Sequence, residues 1–419
     1  MKTFVTVSSA AQTLNVSIDT IRRWEKKGLI KASRDEKNYR VFDLNELLRA
    51  HEKYVNGNNG ASRYKVLTKI NKSKYKSIEL FAGAGGLALG LENAGFRHEL
   101  LVEIDKIAAS TLKKNRPEWN ISCADAREIS FEGMSADIVT GGFPCQAFSF
   151  AGNQLGFEDA RGTLFFELAR CIKEVQPKIA VGENVKGLLA HDDGKTLKAM
   201  LSILDELGYR VAHRVLRAQY LDVPQKRERL VIIAVRKDLN LPIYFPRERD
   251  YTVSMREALE NVPDSPGQQY PIRKREILEL VPQGGYWRDL PLELQKEYMA
   301  GSFHSGGGKT GMARRLSWDE PSLTLTCSPA QKQTERCHPE ETRPLNVREY
   351  ARVQTFPDDW IFEGSTAAQY KQIGNAVPVN LGFHIGVCLT AMLNREPDFS
   401  VMEEVSSNIN ISPVQAKLF

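Results

Sequence analysis

The sequence predicts an α/β fold: a doubly wound, mostly parallel sheet interrupted by an irregular insert and preceded by a small helical module. Three observations carry that prediction. From Ser77 to about residue 236, short apolar runs alternate with segments of helical period, the pattern of successive βαβ units. Between roughly 240 and 340 the alternation fails and Pro, Gly and Arg become frequent, then helical period returns at "NVREYARVQTF" and "VPVNLGFHIGVCLTAML". Charge is also uneven, because residues 1–76 hold 17 Lys and Arg against 7 Asp and Glu, whereas residues 77–419 hold 40 against 45. A basic segment on a slightly acidic body points to a polyanionic partner for that segment.

The helical module comes first. "VSSAAQTLNVSIDTIRRWEKKGLI" offers Ser8 and Ser9 as N-caps, a helix through Leu14, a turn at Asn15 to Ser17, and a second helix from Ile18 that Gly28 ends. "KNYRVFDLNELL" then reads as a short strand, with Asp43 capping a further helix. With Arg22 and Arg23 on the second helix and Arg40 on the wing that follows, residues 1–54 resemble MerR-type and excisionase-type winged helix-turn-helix domains. That resemblance implies a DNA-binding module with these three arginines at its contacts. Residues 55–76 mix Gly and Asn with Lys and keep little period, as a basic linker would.

In the body, "SIELF", "HELLVEI", "ADIVTGG", "KIAVGEN" and "RLVIIAV" read as strands. "GAGGLALGLENAG", "DKIAASTLKKN", "TLFFELARCIKEVQP" and "TLKAMLSILDELG" read as the helices between them. We divide it into a first part at 77–239, the insert at 240–340, a returning segment at 341–395 and a tail at 396–419. No apolar run approaches the ~20 residues that cross a bilayer, and the start has no secretory h-region, so we expect a cytoplasmic protein without membrane association. The six cysteines form no CxxC pair, which argues against a disulfide framework or a zinc ribbon. Cys337 and His338 are adjacent without further ligands at metal spacing, so no metal site is expected.

Chemistry concentrates at the expected carboxyl edge of the sheet. "FAGAGG" (Phe81 to Gly86) is a strand-to-helix turn of the kind that brings backbone close to a dinucleotide, a nucleotide or S-adenosylmethionine. Glu103 ends the next strand, where an acid suits ribose hydroxyls, and Asp125 follows the third, where it is able to accept from an adenine amino group. Cys145, in "GGFPCQAFSF", sits just past the strand "ADIVT". A lone cysteine is most often a small buried hydrophobe, but Glu183 at the end of "KIAVGE" shares its edge. Arg227 and Arg229 alternate into the following strand and point the same way. Two arginines there are suited to holding a carbonyl oxygen or to favouring a thiolate.

These motifs, in the order "FAGAGG", "VEIDK", "GGFPCQAFS", "RGTLFFE", "GENVKG", "QKRER", "RPLNVREYARVQTFPDDW" and "QYKQIGNAVP", resemble the carbon-5 cytosine DNA methyltransferase family over nearly all of residues 77–394. The resemblance implies a Rossmann-like, S-adenosylmethionine-dependent fold acting on double-stranded DNA. Cys145 would be the nucleophile, Glu183 the group at cytosine N3 and its amino group, Arg229 the group at the base carbonyl, and Arg227 a support for that loop. Phe81, Gly83, Gly85, Glu103, Asp125, Pro144, Leu164, Asn375 and Val377 would line the cofactor pocket. Gln146 and Ser149 would face DNA, and residues 240–340 would form the target recognition domain. Within it, the Arg and Gln of "GGGKTGMARRLSW" and "SPAQKQTERCHPEE" are suited to reading guanine and adenine edges. The helix-turn-helix module is absent from the family's minimal enzymes, and we expect it to bind operator DNA. The body is expected to be monomeric, with the module as the part able to dimerise. Methylation of transfer RNA, or a purely regulatory protein on a methyltransferase-like body, are the other readings. The long insert favours DNA, and the intact Cys145, Glu183 and Arg229 set favours an enzyme.

Overall fold

A computed structural model of the chain describes residues 4–14, 16, 18–26, 28–35, 38–57, 62–69, 72–143, 163–304 and 309–406. The chain divides into two compact units, one of Val66–Thr252, Thr326–Ser328 and Tyr350–Phe419, the other of Met1–Lys65, Val253–Leu325 and Pro329–Glu349.

The larger unit is organised by a seven-stranded sheet. Along the chain run β1 (Lys76–Leu80), α1 (Gly86–Asn93), β2 (Arg97–Val102), α2 (Lys106–Asn115), β3 (Ile121–Ser122), β4 (Ile138–Gly142), α3 (Leu164–Val175), β5 (Ile179–Val185), α4 (Lys195–Glu206), β6 (Tyr209–Arg217), β7 (Glu228–Arg236), α5 (Thr366–Asn375) and α6 (Val379–Asn394). Their order across the sheet is β3-β2-β1-β4-β5-β7-β6. The order reverses between β1 and β4, and the crevice at the carboxyl ends of such a switch point is where doubly wound folds bind ligands.

The pairs from β3 to β5 are parallel, as the alternating pattern predicts, but β7 runs antiparallel to both β5 and β6. The cause lies in the connection. No crossover helix separates β6 from β7, so the chain returns on itself. One sheet face, with Ile78, Leu80, Val139, Ala180 and Ile232, packs on Phe165, Leu168, Leu197 and Met200 of α3 and α4. The other, with Ile138, Ile179, Val181 and Val231, packs on Leu87 and Leu91 of α1 and Leu381 and Ile385 of α6. Helices α1 and α6 meet so closely that a Cβ on Gly90 would stand 2.7 Å from the Cα of Gly382. Residues 366–394 are long and apolar enough to span a bilayer, yet 78% of the apolar window is buried here, as core helices are.

In the smaller unit, Phe4–Thr6, Arg40–Asp43 and Ala32–Arg34 form an antiparallel sheet with the middle segment in the centre. Helices Val7–Thr13 and Ile18–Lys26 pack on it through Ala10, Leu14, Ile21 and Trp24. Ser8 and Ser9 lie inside the first helix; the cap is Thr6, whose hydroxyl accepts from Ser9 N at 3.2 Å. The third helix, Leu44–Gly57, runs beyond residue 54. The expected linker is anchored over its later part, where Leu67 N donates to Asn380 Oδ1 (2.9 Å) and Ser73 N to Gly95 O (2.8 Å). Within the expected tail, Met402–Glu404 pairs with Tyr244–Pro246.

Two arginines expected to read base edges are committed inside the insert. The Arg315 guanidinium donates to the carbonyls of Val281 (2.7 Å) and Leu278 (2.8 Å), and that of Arg336 to Glu335 O (2.6 Å) and to Thr324 O. Both are buried. Each guanidinium is spent on main-chain carbonyls inside the insert, so neither is available to DNA. Gln331, Lys332 and Gln333 stay exposed.

Candidate active site

The glycine turn sets the first half of the site. Phe81, Gly83 and Gly85 all adopt positive φ, at 59°, 55° and 88°. A Cβ on Gly83 would meet nothing within 4 Å, whereas one on Gly86 would lie 2.0 Å from the carbonyl of Val377. The turn is therefore open toward the crevice and closed toward the C-terminal helices. Glu103 accepts from Gly83 N on one carboxylate oxygen and from Asp105 N on the other, both at 2.7 Å. Those bonds fix the carboxylate and leave each oxygen a second acceptor position. Phe81, Asp125 and Leu164 line an open cavity of about 260 Å³ with Val102, Ile104 and Arg127. The Arg127 guanidinium holds the Asp125 carboxylate (Nε to Oδ1 3.0 Å) and lowers it to about pKa 2.

Beneath this turn Glu79 is buried, with the Thr140 hydroxyl 3.5 Å away. Burial, with Glu103 adding to it, pushes the Glu79 carboxyl up to about 8. A carboxyl raised on folding stabilises the fold below its unfolded pKa of 4.5 and loses that contribution as pH rises through about 8. The thermal midpoint of Glu79→Gln should therefore exceed that of wild type at pH 9, by roughly 2–4 °C per kcal/mol, and the gap should close toward pH 6. A gap that does not change with pH would contradict a protonated Glu79.

The second half of the site forms where β4, β5 and β7 run side by side. Gly142, the last residue of β4, pairs in register with Glu183 of β5, and a Cβ on Gly142 would lie 3.2 Å from Glu183 Oε2. Cys145 follows Gly142 by three residues. Pro144, Cys145, Gln146 and Ser149 lie outside the described residues. On the other side Val185 is opposite Arg229, so Glu183 and Arg229 are diagonal neighbours on one face of an antiparallel pair. Arg229 Nε stands 2.8 Å from Glu183 Oε1, with each side chain 12% exposed. Burial raises the Glu183 carboxyl, although Arg229 and Arg227 oppose it. Burial also lowers both guanidiniums, Arg227 to about 9. Arg227 is buried and donates through Nη2 to Gly374 O (3.3 Å), in the last turn of α5 where carbonyls collect negative charge.

Most of the residues singled out in the sequence meet here. Asn375 ends α5 beside Arg227's partner Gly374, its amide oxygen 3.1 Å from Cys327 Sγ. Val377 lies behind the glycine turn. In the small unit, Arg22 and Arg40 are exposed, and Arg40 Nη1 stands 3.5 Å from Glu25; the side chain of Arg23 is outside the described residues. One residue was missed. Asn184 is buried on the sheet face opposite Glu183 and donates through Nδ2 to Phe143 O (2.8 Å), holding the chain just before Pro144. Its place beside Glu183 in "GENV" was the available signal.

Residues 75–390 match the model of the family described as C-5 cytosine-specific DNA methylase, and residues 6–42 that of the MerR family regulatory protein. The chain is 54% identical to the type II methyltransferase M.Eco47II of Escherichia coli, covering 94% of this chain and 97% of the relative. It is 51% identical to M.PspPI of Psychrobacter sp. (strain TA137), covering 92% and 96%. Among solved structures, a mutant of Spodoptera frugiperda DNMT2 superposes with a TM-score of 0.54 at 17% identity over 76% of this chain and 100% of that one, a likeness of fold.

Proposed function

Since this chain belongs to the C-5 cytosine-specific DNA methylase family, we propose that it transfers a methyl group from S-adenosylmethionine to carbon 5 of a cytosine turned out of duplex DNA. We assign it to the cytoplasm, as the modification enzyme of a type II restriction-modification system. The observation that carries the reading is the Glu183–Arg229 pair, packed over the end of the strand that leads into Cys145.

Carbon 5 of cytosine is a weak nucleophile, and Cys145 acts on that weakness. Its thiolate adds at carbon 6 and forms the C–S bond, while a proton from Glu183, whose carboxyl burial raises, passes to N3 and balances the charge that addition creates. Arg229 binds the base carbonyl, and Arg227 holds the segment against α5. After methylation the carbon-5 proton passes to solvent water, the C5–C6 double bond re-forms as the C–S bond breaks to release the Cys145 thiolate, and N3 returns its proton to Glu183. The base must leave the duplex, because neither of its faces is accessible within the stack.

The residues suit S-adenosylmethionine, which when bound supplies an electrophilic methyl group. Open space at Gly83 admits a ligand close to the backbone, Glu103 keeps acceptor positions for a ribose diol, and Phe81 and Leu164 wall a slot fit for a planar ring. Bisulfite sequencing of DNA from cells that express the chain is the test, run beside methyl transfer to duplex DNA and to transfer RNA in vitro. Protected cytosines in one sequence context are expected. Transfer to RNA alone would overturn the DNA reading.

For residues 1–54 we propose operator binding that represses the enzyme's own synthesis, on the strength of the MerR-family match and the exposed Arg22 and Arg40. Deleting residues 1–60 should leave site-specific methylation intact and relieve repression of a reporter driven by the upstream region. If methylation instead falls at every site, and falls further in higher salt, the module only adds phosphate contacts.

A further inference from the structure

Between β6 and β7 lies a buried polar cluster that the reaction does not touch. Asp222 is 5% exposed and adopts φ +57°, a left-handed conformation that costs a side-chain-bearing residue energy unless its surroundings hold it. Three groups reach its carboxylate: His384 Nε2 at 2.9 Å, the hydroxyl of Tyr251, and Arg249 Nε at 3.8 Å. These hydrogen bonds from His384 and Tyr251, with the charge of Arg249, outweigh burial and hold the carboxyl below its ordinary pKa. An ionised carboxylate only accepts, so His384 carries its proton on Nε2 and donates. The main chain of the same residue is gripped as well, because Asn380 Nδ2 donates to Asp222 O at 2.7 Å. Asn380 and His384 stand one turn apart on α6, so a single helix face holds both the side chain and the backbone of Asp222.

This loop carries the arginines. Its ends are joined by Ala218 N donating to Arg227 O (2.8 Å), and Gln225 Nε2 donates to Gln354 Oε1 (2.8 Å). Asp222 is the point at which the loop is fastened to α6, and Arg227 and Arg229 follow where the chain enters β7. We propose that the Asp222–His384 pair is a clamp that positions Arg227 and Arg229 for the base, a positioning role at a site that contacts neither cytosine nor cofactor. The proposal rests on the reading that those arginines serve the base.

The substitutions separate the clamp from the backbone it holds. Asp222→Gly removes the cost of the positive φ along with the carboxylate, whereas Asp222→Asn keeps two acceptor positions on a residue that tolerates this φ. With duplex DNA as substrate, kcat should fall in the order wild type, Asn, Gly. The loss in Asp222→Gly should reach about 100-fold, the scale of a 1 Å misplacement, with the Kd for S-adenosylmethionine unchanged. His384→Gln, which restores an N–H donor, should retain more kcat than His384→Leu. A wild-type kcat in Asp222→Gly overturns the proposal, as does a parallel loss of kcat and cofactor affinity, the mark of general loosening. Arg227→Met and Arg229→Ala, measured alongside, keep the two readings apart. If they lower kcat and the Asp222 variants do not, the clamp alone fails; if they do not, the site reading beneath it fails.

Discussion

Cys145→Ser is expected to abolish methyl transfer to DNA while S-adenosylmethionine still binds with wild-type affinity. The argument is chemical. Addition at carbon 6 needs a strong nucleophile at neutral pH, and a cysteine near its ordinary pKa of about 8.5 already supplies some thiolate, more if arginines stand nearby. A serine hydroxyl supplies no comparable anion at neutral pH. The proposed cofactor cradle is the glycine turn, Glu103 and the slot at Asp125, none of which the substitution alters. Wild-type enzyme should also be trapped covalently on duplex DNA carrying 5-fluorocytosine, because fluorine at carbon 5 cannot leave as the proton does and Cys145 is not released. A denaturing gel or intact-mass measurement reads that adduct, and the serine variant should form none. An active Cys145→Ser enzyme would sink the nucleophilic mechanism outright.

The strands that carry this chemistry were legible because each is an apolar run ending in a residue that breaks the run. Ile78 and Leu80 precede the glycine turn, Leu101 and Val102 precede Glu103, and Val181 precedes Glu183. Strand β6 escaped the reading for a physical reason. His213 and Arg214 interrupt its apolar sequence, and an edge strand needs only one flank paired. The direction of β7 is also absent from its own residues, since "RLVIIAV" is equally apolar in either sense and direction follows from the missing crossover helix. Individual polar residues are harder still. Arg315 and Arg336 look like surface cations in a basic stretch, and only the fold reveals the carbonyls that occupy them. The match of Asp222 with His384 joins residues 162 positions apart, a pairing no local pattern encodes.

Glu183→Gln should lower kcat by about 10²–10⁴-fold, the range of general acid catalysis, with DNA binding retained. Glutamine keeps the shape of the neutral acid and an N–H able to reach N3, but it has no proton to give. The pH profile separates these contributions. Wild-type turnover should rise with pH as Cys145 ionises and fall again as Glu183 loses its proton, a bell whose limbs belong to the coupled pair. In Glu183→Gln the alkaline limb should disappear. Stability supplies an independent check, because burial raises the folded pKa of Glu183 above its unfolded value of 4.5. A group so shifted contributes fully below that value and loses its contribution as pH rises through the folded pKa. The variant lacks that loss, so its thermal midpoint should gain on wild type as pH increases. Were Glu183 instead ionised in the resting enzyme and bound to Arg229, Gln would leave two buried guanidiniums without their counter-charge. The variant would then be destabilised by about 3–5 kcal/mol at neutral pH. A large loss of stability at pH 7 together with an intact alkaline limb would refute the protonated Glu183 on which the mechanism depends.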